Sequence, residues 1–191
     1  MAKVITFSRT FPSYHPKAGE PTYFVEKIYR SYSVECLSEV FALPVSPLDI
    51  ASLNAKLPFE IVDNFYKSLI SWGSKPGEQP ILKQKHHTIR AGHRFKVGEM
   101  FSPRVWSGKP YNSKQIIIAP DIKIDKIWSF KIIVGKKQMH ILLNGEQVAA
   151  DTLGIIAHHD GLSFVDFMHW FKYPGTAFEG QIICWNENID Y

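Results

Sequence analysis

The chain has 191 residues, 45% of them hydrophobic and 21% charged, with a formal net charge of +4. That balance suits one domain, residues 1–191, with a core of its own, and excludes a chain disordered throughout. No run approaches the ~18 apolar residues of a membrane helix, and Cys36 and Cys184, the only cysteines, cannot form the paired spacings of a zinc site.

In chain order, MAKVITFSRTF lacks the long apolar stretch of a signal peptide, so the expected location is the cytoplasm. Lys3 to Arg9 alternates and is β-branched, which predicts a strand. Pro12, Pro16, Gly19 and Pro21 then mark a loop. Phe24, Ile28 and Tyr32 share one helical stripe, with Thr22 as an N-cap candidate. Residues 33–80 read as a helical insertion. Ser46-Pro47 opens one helix there, and Ile61, Phe65, Leu69 and Trp72 stripe another that stops at Gly73. From Lys83 strands dominate. Gly98 marks a turn, and the Ile-rich run from Ser113 to Val134 predicts one or two strands broken near Ala119-Pro120-Asp121. Asn144-Gly145 predicts a hairpin. A short helix capped by Asp151 follows. A second begins at Ser163 with Asp166 three residues on, a capping-box variant. Residues 179–185, EGQIICW, close as an apolar strand. The sum is an α+β chain: a small strand-rich barrel or sheet with a few helices.

The charge is unevenly spread. Residues 83–137 carry 13 Lys/Arg against 3 Asp/Glu, a balance of +10, whereas residues 138–191 carry 1 against 7, a balance of −6. Basic clustering of this size is the electrostatic footprint of a nucleic-acid binder. The competing reading pairs the basic middle with the acidic end inside one fold. Trp106 and Tyr111 lie among Arg104, Lys109 and Lys114, a mixture suited to unpaired bases. Trp128 and Trp185 read as core. Arg90, Arg94 and Lys96 extend the candidate binding set. Arg90 stands two residues beyond Thr88, on the same strand face, and suits a phosphate or carbonyl oxygen.

Six segments occur in a telling order: VITFSRTF, FVEKI, KHHTIR, RFKVGE, LSFVDFMHWF and EGQIICW. Together they resemble the ASCH domain of the PUA-like superfamily. Its pattern of lysine, two variable residues, threonine, an apolar residue and arginine matches Lys85, Thr88 and Arg90. Lys96-Val97-Gly98-Glu99 matches its turn, with Glu for Asp. The resemblance covers residues 3–32 and 83–185 and leaves 33–80 without a counterpart. It implies a small PUA-like β-barrel with flanking helices, and a partner that is RNA or a modified nucleoside. One branch of the family hydrolyses acetylcytidine. By motif, its catalytic lysine, threonine and carboxylate would fall on Lys85, Thr88 and Asp160, the last standing where that branch has glutamate.

Amide hydrolysis makes its own demands. A threonine hydroxyl needs a neighbouring base, and a desolvated lysine beside another cation can supply one. Lys85 and Thr88 point to opposite faces of a straight strand, so they converge only if the chain bends at His86-His87. The pairs His86-His87 and His158-His159 invite a metal, but adjacent strand histidines diverge and no HxxxH spacing occurs, so the expectation is no metal and no cofactor. Binding of RNA or a modified nucleoside through a basic pocket comes first. An amidohydrolase of acetylated cytidine, or a ribonuclease using Lys85, Arg90 and a histidine, is the alternative.

Overall fold

The computed structural model describes residues 2–29, 31, 84–134, 139–171 and 177–191. The predicted helical insertion 33–80 lies outside the described residues. Those described fall into two compact units. The first holds 2–10, 21–29, 31, 84 and 100–122, and the second 11–20, 85–99, 123–134, 139–171 and 177–191.

In the first unit, β1 (Lys3–Thr6) pairs in parallel with β3 (Met100–Trp106), matching Lys3 to Phe101 and Thr6 to Arg104. On its other side β3 pairs antiparallel with β4 (Gln115–Ile117), and the two-residue β5 (Ile122–Lys123) also pairs with β3. The helix α1 (Phe24–Tyr29) supplies Phe24, Val25 and Ile28 to the buried set, alongside Ile5, Phe7, Phe101 and Val105. Thr22 stands one residue before the N-cap position, which is Tyr23: its Oγ1 accepts from the Phe24 amide at 3.4 Å and donates to the Ser8 carbonyl at 2.7 Å.

The second unit is a five-stranded sheet in the order β2-β9-β6-β7-β8. Its strands are β2 (His87–Ala91), β6 (Lys126–Val134), β7 (Met139–Leu143), β8 (Glu146–Gln147) and β9 (Phe178–Cys184). Trp128, Phe130 and Ile132 recur every second residue along β6 and are buried, which is the period of a strand with one face on a core. Central β9 is buried from Gly180 to Cys184. A Cβ built on Gly180 would stand 2.1 Å from the Arg90 carbonyl oxygen, so only glycine lets β2 approach here. Asn144 and Gly145 both take positive φ, 50° and 91°, and close β7 onto β8 as the two-residue hairpin the sequence predicts.

Two helices complete this unit, α2 (Ala150–His159) and α3 (Phe164–Trp170). Ser163 caps α3 by accepting from the Asp166 amide, as predicted. Asp151 does not cap α2. The N-cap is Ala149, without a side-chain bond, and Asp151 sits inside the first turn, where its charge still suits the helix dipole. The loop from Phe11 to Glu20 is stapled to α3. His15 Nδ1 accepts from the Lys17 amide, so its Nε2 donates to the Asp166 carbonyl at 3.1 Å, and Lys17 Nζ reaches the Asp166 carboxylate at 2.9 Å.

The expected barrel is not formed. Closure requires the outer strands of a sheet to pair with each other. Here β2 and β8 are opposite ends of one open sheet, and β1 and β4 are opposite ends of another. Strand-forming stretches were foreseen, although the Ile-rich run gives three strands where one or two were expected. What alternation along a strand does not encode is its partner: β1 pairs in parallel with β3, while β2 pairs with β9.

Candidate functional site

Lys85 immediately precedes β2 and is 1% exposed. Its Nζ donates to Asp160 Oδ1 at 2.5 Å and to the Asp160 backbone carbonyl at 2.6 Å. Asp160 is the C-cap of α2, its own N–H donating to the Ile156 carbonyl. The ammonium therefore sits at the negative end of the helix dipole, where a cation is favoured. Burial pushes the Lys85 pKa down to about 8. The charge and hydrogen bond of Asp160 resist that fall, and nearby Arg90 adds to it. Although aspartate is a methylene shorter than glutamate, the carboxylate reaches the lysine.

Thr88 is not drawn into this pair. It is 4% exposed and sits opposite Ile183 on β9. Among the described residues no hydrogen bond joins it to Lys85 or Asp160. The bend expected at His86-His87 is not shown: Lys85 and His87, two residues apart, both reach α2, as on a straight strand. The His86 amide donates to the His159 carbonyl at 2.9 Å, while the His86 carbonyl accepts from the Trp185 amide at 3.1 Å. Regular pairing begins only at His87, opposite Cys184. Alternation along this run places Lys85 with His87 on the side of α2 and leaves Thr88 on the other face.

A hydrogen-bonded chain that the sequence did not disclose lies beside the pair. His87 is fully buried, with Nε2 3.0 Å from the Ile156 carbonyl and Nδ1 3.2 Å from the Tyr191 hydroxyl. The carbonyl can only accept, so Nε2 carries the hydrogen and Nδ1 accepts from Tyr191. Tyr191 has then spent its one proton, and its oxygen accepts from His159 Nδ1, 3.0 Å away. Burial, and then the charge of Lys85, hold His87 well below the usual imidazole range. Burial likewise pushes the Tyr191 hydroxyl up. Both stay neutral, and the direction of the chain is fixed. The only sequence signals here were the two histidine pairs. Nothing in the residues alone marked Tyr191.

The histidines make no metal centre. Both nitrogens of His87 are engaged, and His86 Nδ1 accepts from the Asn186 side-chain amide at 3.2 Å. Among the described residues no three His, Cys, Asp or Glu side chains are grouped to hold an ion.

The basic candidates divide between the units. In the second, Arg94 and Lys96 are exposed on the turn that follows β2. Gln181 fixes that turn by bonding both the amide and the carbonyl of Phe95, each at 3.0 Å. Gly98 closes it at a φ of 83°, with the Glu99 carboxylate accepting from the Lys96 amide. Arg90 is half-buried on β2. In the first unit, Arg104 projects from β3 and bonds Ser102 and Gln115, both neutral. Trp106 ends that strand, half-buried, with its ring centroid 5.3 Å from that of Tyr111, which is 87% exposed in the following loop. Lys109 and Lys114 are exposed on the same loop.

No family model matches this chain, and no curated protein or solved structure matches it either. The chemistry of its own residues therefore carries the functional reading. Part of the basic segment is neutralised by the acidic end: Lys85 pairs with Asp160, Lys126 with Asp190 and Lys131 with Glu179. Lys96, Arg104, Lys109 and Lys114 have no carboxylate partner among the described residues. No helix among the described residues is long and apolar enough to cross a membrane.

Proposed function

We propose that this chain is a cytoplasmic, ASCH-like protein that binds RNA, or a modified nucleoside within it, through its basic segment. The supporting observation is the β3–β4 loop. There an exposed tyrosine stands against a tryptophan, beside lysines that no carboxylate among the described residues neutralises. Aromatic faces stack on unpaired bases and free cations follow the phosphates. The preformed turn with Lys96 adds a second cationic feature. The test is fluorescence titration with an unstructured single-stranded RNA. Binding that weakens steeply with salt supports the reading, because phosphate contacts release counterions. No binding at low salt overturns it.

A second reading, an amidohydrolase of acetylated cytidine, draws on the Lys85–Asp160 contact and the lowered lysine pKa. A lysine near 8 is a competent base at neutral pH. Against this, Thr88 is buried and no hydrogen bond among the described residues joins it to that lysine, and a threonine hydroxyl is weak without a base to take its proton. Incubation with acetylcytidine decides the matter: equal, background turnover by wild type and Lys85→Ala removes this reading.

A further inference from the structure

One face of α2 lines a shallow groove of about 580 Å³, bordered by Asp151, Gly154, Ile155, His158, His159 and Phe164. Three features of it are unusual for bare surface. Gly154 sits in the helix interior, where glycine is disfavoured. Among the described residues nothing lies within 4 Å of where its Cβ would stand, so packing does not require it. The helix instead presents bare backbone as the groove floor. Ile155 and Phe164 are each about half exposed and form apolar walls. Above them, the tautomer of His159 is set. Its Nδ1–H is committed to Tyr191, so the half-exposed ring keeps its lone pair on Nε2.

The chain behind His159 works as a lock and not as a proton wire. Passing a proton along it would place a charge on His87, which is fully buried near the Lys85 ammonium. Neutral, acceptor-only His159 is the state that the chain stabilises. Asp151 contributes a second acceptor at the other end of the groove. A floor open to close approach, apolar walls and two acceptors call for a flat ligand that donates.

We propose that this groove is a binding site for a planar amino-substituted heterocycle, with the amino N–H donating to His159 Nε2 and the ring lying over Gly154. Tyr191 and His87 are positioning residues that act through His159. The site uses none of the basic residues, so it stands or falls separately from RNA binding.

The probes are adenosine, cytidine and purine riboside, the last being adenosine without its amino group. Nuclear magnetic resonance follows the amides of Gly154 and Ile155 and the ring nitrogens of His159. The expected result is saturable shifts with adenosine or cytidine, and at least tenfold weaker binding of purine riboside. Gly154→Leu, whose Cβ would meet no neighbour within 4 Å among the described residues, projects into the groove and abolishes those shifts. Tyr191→Phe frees the His159 tautomer and lowers adenosine affinity while leaving purine riboside unchanged. Should Tyr191→Phe fail to fold, the wild-type ring nitrogens still report the tautomer. Absence of groove shifts with both amino nucleosides, equal binding of purine riboside, or a wild-type His159 carrying its hydrogen on Nε2 overturns the proposal.

Discussion

Replacing Lys85 with methionine keeps the stem of the side chain and removes its charge. Lys85 and Asp160 have side chains only 1% and 6% exposed, with the ammonium 2.5 Å from the carboxylate. Methionine therefore takes the lysine's charge from a buried carboxylate and its donor bond from the Asp160 carbonyl. Breaking one side of a buried pair typically costs ~3–5 kcal/mol. In a chain of this size that corresponds to a fall in Tm of about 6–20 °C. Urea denaturation followed by tryptophan emission reads the loss, since Trp128 and Trp185 are both buried in the second unit. Lys85→Met combined with Asp160→Leu removes both ions and is less damaged than Lys85→Met alone. A single variant within ~0.5 kcal/mol of wild type, the range of ordinary surface changes, would refute the reasoning. So would strict additivity in the double variant.

Other outcomes follow from the same geometry. Gly180→Ala drives a methyl into the Arg90 carbonyl oxygen and forces β2 off β9, at a cost of at least ~1–3 kcal/mol by denaturation. Loss of amide exchange protection should concentrate in residues 87–91. Acid should destabilise the fold below neutrality. His86 is held down to about 4, chiefly by burial, and His87 and His159 are lowered as well. Between the unfolded value near 6.5 and that folded value, the unfolded chain binds more protons, so stability drops as pH falls through the window. A flat stability profile from pH 6.5 to 4 contradicts this. His86→Gln should lose less across it than wild type. In the β3–β4 loop, Tyr111→Ala should weaken single-stranded RNA binding by ~1–3 kcal/mol, the value of one stacked base.

Local rules were legible in the sequence where the cause was local. The Asn144-Gly145 hairpin and the Gly98 turn depend on a positive φ that few residues favour, and the Ser163 cap on a short side-chain oxygen that accepts from the Asp166 amide; the structure has all three. The Ile-rich run from Ser113 was harder. The expected break near Pro120 is present, but a second interruption at Ile124-Asp125 separates β5 from β6. There Ile124 and Asp125 spend their amides on the Glu99 and Cys184 carbonyls. Those acceptors lie far along the chain and leave no trace in the run itself. The barrel failed for the same reason, since pairing partners are long-range facts. At the site, Lys85 and Asp160 meet because a helix C-cap receives the lysine, whereas Thr88 stays on the strand. The tyrosine that orders two histidines came from 32 and 104 residues away.

The most direct test of the proposed function is the salt dependence of RNA binding by wild type and Lys109→Ala. Affinity for an unstructured single strand should fall steeply between about 50 and 200 mM salt. The variant should bind more weakly at low salt and show a slope shallower by about one phosphate contact. Undetectable binding by wild type at the lowest salt, or binding insensitive both to salt and to the loss of Lys109, would contradict the account.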